Sequence, residues 1–358
     1  MQRPPVSKLS KILRKGAQRS IRCSPLHIWR RSLTVALALT ASAPALAEPS
    51  ADTTARDPVP LEIFQQKEDR LFKIGFRLAT ANAPFCENAV PVAGFLFHDA
   101  DSYGNPDAVR ALFRLRGDIG VQSVAPGSPA ALAGIEQNDT IAVIGTDALG
   151  DWPQTAQRWK RVFAIRDTLD AALAKGPVGI EWLSKDGAER SATLAGIPAC
   201  PTRFELVDSK SNAAADGDRV LVGENFPGFA YDEESFAAAI AHEMAHNIFR
   251  HPQTFGETGW KRKLVRLSER DADRLMPWLL QNAGYDPHAA VRFMSTWGPK
   301  HGGWIFRKRT HDGWDERVEY IEAEITRLGN YLDAEGKADW KTYFQPSLDA
   351  ELAARGFR

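Results

Sequence analysis

Along this chain the spacing of apolar residues changes character twice. Over residues 61–82, Leu61, Phe64, Leu71, Ile74 and Leu78 recur at helical intervals, which predicts one amphipathic helix. Past Cys86 the pattern turns into short β-rich stretches bounded by turn residues, at 90–97, 118–124, 140–144 and 178–183. From Tyr231 onward helical spacing returns. There Phe236, Ile240, Met244 and Ile248 form one apolar stripe, Asp232 is a good N-cap, and Glu233 and Glu234 suit a first turn, so a buried helix is predicted. The expected class is α+β. A mostly helical domain with a small edge sheet occupies 201–358, a helix over 61–85 packs on it, and a small β-barrel is inserted over 86–200. No internal repeat is present.

Charge sharpens this division. The 45 basic and 45 acidic residues sum to zero, yet residues 1–47 carry nine Lys or Arg and no acid, which leaves 36 bases against 45 acids, a net of −9, in the remainder. The basic stretch ends at Arg31 and is followed by the apolar run Leu33 to Leu39 and by Ala45-Leu46-Ala47. That order predicts a secretory signal over 1–47, with Arg30-Arg31 leaving a twin-arginine route open beside the general one. The apolar run is too short for an anchor, since a span needs about 20 residues, and no other segment is apolar enough to cross a bilayer. Residues 48–60 are polar and Pro-bearing, a flexible leader. The acidic remainder argues against a nucleic-acid partner, and the export signal places the protein outside the cytoplasm, most simply in a periplasm, with secretion as the alternative. Two cysteines then remain, Cys86 and Cys200, and in an exported protein an even count predicts a disulfide, two buried thiols being the alternative.

Chemistry concentrates in Ala241-His242-Glu243-Met244-Ala245-His246. On a helix His242 and His246 lie one turn apart on one face, the geometry for two imidazoles on one Zn²⁺, with Glu243 beside them as general base. A catalytic zinc needs a third protein ligand. The metzincin pattern would require Gly and His where Phe249 and Pro252 stand, so it is excluded. Downstream, Glu269 and Asp273 are again four apart: Glu269 can ligate the metal and Asp273 can accept the free N–H of a liganding imidazole. Pro277 lies further along the same predicted helix and should kink it.

The pair of strings H-E-x-x-H and E-x-x-A-D, with Ala283-Gly284-Tyr285-Asp286-Pro287 beyond them, resembles the gluzincin family of zinc metallopeptidases that includes the HtpX-type heat-shock proteases, the CAAX prenyl proteases and soluble envelope relatives. The resemblance covers about residues 220–325. Thr310-His311 and Arg317 match a further family landmark, although Asp312 stands where relatives carry Pro. It implies that His311 hydrogen-bonds the oxyanion and that Arg317 braces the site. It also implies a zincin-type fold with one Zn²⁺ per chain.

The run Gly120-Val121-Gln122-Ser123-Val124 through Ser128-Pro129-Ala130 to Gly134-Ile135-Glu136-Gln137-Asn138-Asp139 resembles PDZ domains of bacterial envelope proteases, with Asn138 where Gly is usual. Pro129 should start a short helix and Gly134 stop it. Such domains bind extended peptides at a sheet edge beside a helix, here predicted over 159–175; a purely structural barrel is the alternative.

Together these expectations describe a zinc endopeptidase of the cell envelope acting on protein or peptide substrates, with residues 219–224 offering a strand edge for them. Two alternatives stay open. One is a zinc amidase for cell-wall peptides; the other is a PDZ-bearing binding or chaperone factor with structural zinc. Loop 301–309, with Gly302-Gly303 and three basic residues, is a candidate cover for the site.

Overall fold

In the computed structural model the described residues are 60–154, 157–208, 210–301 and 312–357. The signal expected over 1–47 and the leader expected over 48–60, apart from Pro60, lie outside them, as do residues 302–309 of the expected cover. Helix α1, Pro60–Asn82, opens the described chain with Glu62 in its first turn. Its two sides meet different neighbours. Leu71, Ile74 and Leu78 join the large helical core, while Phe72 and Phe76 meet Val92, Leu96 and Ala125 of the β-rich segment. Polar staples fix it in place: Arg70 donates to the carbonyls of Phe229 and Tyr231, both at 2.8 Å, and Arg77 to those of Ala283 and Gly284.

The β-rich segment runs β1 Val90–Val92, β2 Phe95–Asp99, α2 Pro106–Phe113, β3 Ile119–Val124, α3 Pro129–Leu132, β4 Thr140–Ile144, β5 Asp147–Ala148, α4 Trp159–Leu173, β6 Val178–Leu183, β7 Glu189–Leu194 and β8 Ile197–Ala199. The expected short helix is α3: Ser128 caps it and Gly134 follows at a φ of +85°. Asn138, in place of the usual Gly, has a φ of +72°, a left-handed value that Asn tolerates better than most residues. The main sheet has the order β2-β3-β4-β6-β7, with β5 on β4. Along β6, Val178, Ile180 and Trp182 point inward and Gly179 and Glu181 outward, the two-residue period of a sheet with one covered face.

The barrel expected here is not closed; the sheet is open, with β2 and β7 as its edges. The reason lies in the flanking strands. β1 and β8, which adjoin the edge strands in sequence, pair with each other in a separate ribbon, Val90 opposite Ala199, after Gly94 turns the chain at a φ of +82°. The face that closure would fill is covered by α4, whose Ile165, Leu169 and Leu173 share a core with Phe95, Val121, Ile144 and Trp182. Helix α4 is fixed to the end of β2 by a buried ion pair: Arg161 grips Asp99 through Nε at 2.7 Å and Nη2 at 2.5 Å, and also reaches Asp118 at 2.9 Å.

A disulfide joins Cys86 to Cys200, with Cα atoms 5.4 Å apart across 114 residues, so the segment begins and ends at one point beside α1. Next come β9 Arg203–Val207, β10 Ala213–Ala215 and β11 Arg219–Gly223, in the order β10-β11-β9. Residues 219–224 therefore offer no free edge. β11 is paired on both sides, and Val220 and Val222 alternate into the core with no exposure. The edges are β9, next to α1, and β10, next to α5.

The rest is helical: α5 Glu233–Ile248, α6 His251–Thr258, α7 Arg262–Asn282, α8 Ala289–His301, α9 Trp314–Leu328, α10 Trp340–Tyr343 and α11 Ser347–Ala354. α5 is the axis of this part. Its Phe236-Ala237-Ala238-Ala239-Ile240-Ala241 run is buried, and the small side chains let α7, α8 and β10 approach closely. α7 stays helical through Pro277 as far as Asn282, although that residue cannot donate to the carbonyl of Asp273. Among the described residues no helix is long and apolar enough to cross a membrane.

Candidate metal centre

Two helices supply the site. Asp232 caps α5, its carboxylate accepting from the Ser235 amide at 2.8 Å, and one turn separates His242 from His246 on the face turned to α7. From α7 comes Glu269. The Nε2 atoms of the two histidines are 3.2 Å apart, and Glu269 oxygens lie 3.5 Å from His242 Nε2 and 3.6 Å from His246 Nε2. Donors on a tetrahedral ion at about 2.0–2.1 Å stand about 3.3–3.4 Å from each other, and here each histidine Nε2 faces its own Glu269 oxygen at close to that spacing, Oε2 for His242 and Oε1 for His246, the three residues forming a group that could hold a metal ion. His242 and His246 are buried, and Glu269 keeps some exposure. Three protein donors leave a tetrahedral corner for another ligand.

The electrostatics also favour a cation. Burial lowers both imidazoles, but Asp273 and Glu269 outweigh it at His242 and push that group up to about 10, whereas His246 falls to about 4. Two rings this close cannot both be imidazolium cations. The surrounding carboxylates hold one positive charge in the pocket, a place a metal ion would take. Glu243 shares the pocket. Burial raises its carboxyl to about 7, against the pull of His242, and the Ala215 amide faces it from β10.

Behind the donors lies a supporting layer. Asp273 is fully buried and comes within 3.1 Å of His242 Nδ1, off the ideal hydrogen-bond direction. Against the effect of burial, Arg317 and His242 hold its carboxyl below the ordinary value. Arg317, from α9, grips Asp273 through Nε at 2.5 Å and Nη2 at 2.6 Å and stands 3.9 Å from Glu269. Its guanidinium acts on His242 through Asp273. Asp312, the departure from the family pattern, accepts from Arg270 at 2.8 Å and lies 3.4 Å from Arg266, both on α7. His311 lies outside the described residues.

The sequence reading missed His251. Its Nδ1 lies 2.8 Å from Nδ1 of His246, and it is only 2% exposed, between Phe249 and Phe255. Burial, then the charge of His246, holds it well below its ordinary value, so the ring is neutral. A third histidine nine residues after His242 was the available signal. Helical spacing could not place it, because Arg250 breaks the helix with a φ of +54°. No protein-family model matches the chain, and no curated protein is significantly similar to it.

Proposed function

We propose that the protein is a zinc-dependent endopeptidase of the cell envelope that hydrolyses peptide bonds in misfolded or unassembled proteins. One observation carries the reading: the Nε2 atoms of His242 and His246 are 3.2 Å apart and each lies 3.5–3.6 Å from one oxygen of Glu269, with the Glu243 carboxyl in the same pocket. Two imidazoles and one carboxylate are a donor set that suits Zn²⁺ in hydrolases. Bound there, the ion would supply Lewis acidity and make water a stronger acid.

The chain's own residues would do the rest. Glu243, raised to about 7 by burial, is poised to take a proton from water near neutral pH and hand it to the departing amine. Asp273, held by Arg317, keeps His242 oriented with Nε2 toward the donor cluster, and His251 does the same for His246. An extended substrate would pair with the β10 edge. The PDZ-like reading of residues 86–200, with a peptide ligand of its own, belongs to the same proposal. So does export, which the Cys86–Cys200 disulfide supports because such bonds persist in oxidising compartments.

Glu243→Gln tests the reading. Cleavage of a denatured protein should fall by about 10²–10⁴ with zinc content unchanged. Equal inactivity of variant and wild type on every substrate would favour the binding or chaperone alternative, and turnover confined to cell-wall peptides the amidase.

A further inference from the structure

The β10–β11 hairpin is tied to the helix that carries the histidines. At its tip the Gly217 amide donates to Oδ1 of Asn247 at 2.8 Å; Asn247 directly follows His246 and is 5% exposed. Gly217 has a φ of +107°, a backbone conformation that favours glycine, and it lies against the side-chain amide of Gln253 on α6. The Asp216 carboxylate braces the turn, accepting from the amides of Asp218 at 3.1 Å and Arg219 at 2.8 Å.

This tip determines how β10 lies. The Asp216 amide donates to Arg219 O, and Asn212 O accepts from the Gly223 amide, so these positions face β11. By the alternation of an antiparallel ladder, Ala213 and Ala215 turn their backbone groups to the other side, that of Glu243. A shift of the tip would therefore move the whole edge.

We infer that Asn247 is a positioning residue: it locks the hairpin tip to the zinc helix and so sets the register in which an extended peptide pairs with Ala213 and Ala215 beside Glu243. The inference rests on the peptidase reading and adds to it a residue that touches neither metal nor substrate. Removing the acceptor frees the tip, and the loss of one buried hydrogen bond, about 1 kcal/mol, corresponds to a five- to tenfold loss in peptide binding.

The test uses the zinc-loaded full chain in a Glu243→Gln background, with fluorescein-labelled β-casein followed by anisotropy, so that the readout is independent of turnover. Asn247→Ala should weaken casein binding about five- to tenfold, speed amide hydrogen exchange across 213–217 and leave zinc affinity by chelator competition unchanged. Gly217→Ala approaches the same contact from the hairpin and should act alike. Unchanged casein binding in both variants overturns the inference, as does a loss of zinc affinity that parallels the loss of binding. Failure of the parent to bind casein overturns it too. Casein bound by the parent but never cleaved by wild type sinks the peptidase reading alone.

Discussion

His246 and His251 meet Nδ1 to Nδ1 at 2.8 Å. With a metal on Nε2 of His246, its Nδ1 would carry the proton and His251 would accept it, which would place the His251 proton on its own Nε2. One histidine of the candidate metal centre is thus backed by a carboxylate and the other by an imidazole. His251→Phe keeps the aromatic packing and removes the acceptor. Metal affinity should drop about 10–100-fold, read by chelator competition; an unchanged affinity would show that His251 only fills space.

His98 makes a pH prediction. It is 5% exposed, neither ring nitrogen has a hydrogen-bond partner, and Phe113 and Tyr103 stand edge-on to it. Burial lowers it to about 4, with Asp99 opposing. The folded chain therefore sheds this proton more readily than the unfolded one. Its contribution to stability is present above about pH 6.5 and is lost as the pH falls toward 4, by roughly 2–3 kcal/mol. Urea unfolding at pH 7 and pH 4.5 should show that His98→Leu has a smaller acid loss than wild type.

The disulfide closes a 114-residue interval. Replacing Cys86 and Cys200 by Ala should lower unfolding free energy by about 2–5 kcal/mol. Reductant should bring wild type to the stability of the double variant and leave that variant unaffected; sensitivity in both would contradict the assignment.

Arg161 and Asp99 form a desolvated pair, 5% and 2% exposed. Arg161→Ala leaves the Asp99 charge buried without its main partner and should cost about 3–5 kcal/mol in denaturant unfolding. The double change Arg161→Met with Asp99→Leu should recover most of that. Equal losses in both would assign the effect to packing.

Local pattern carried far in this chain. The stripe Phe236, Ile240, Met244, Ile248 and the cap at Asp232 define α5, and a helix of 3.6 residues per turn leaves His242 and His246 no choice but to share a face. Glu269 and Asp273 follow by the same rule. Ser128-Pro129 and Gly134 delimit α3 because each residue satisfies one end of a helix. These are short-range constraints, and residues within a turn or two express them.

What only the tertiary structure decided are relations between strands and between helices. Whether the sheet closes depended on β1 finding β8, more than a hundred residues away. That β11 is not an edge depended on β9 pairing with it, which put β11 between β10 and β9. His251 and Asn247 carry no periodic signal; their roles arise from the left-handed turn at Arg250 and from a hairpin tip brought in from elsewhere in the chain. The sequence by itself determined that His242 and His246 could share a metal, because they lie on one helical face, while the packing of α7 on α5 brought Glu269 to them. The fold decided what orients them, because orientation comes from partners distant along the chain.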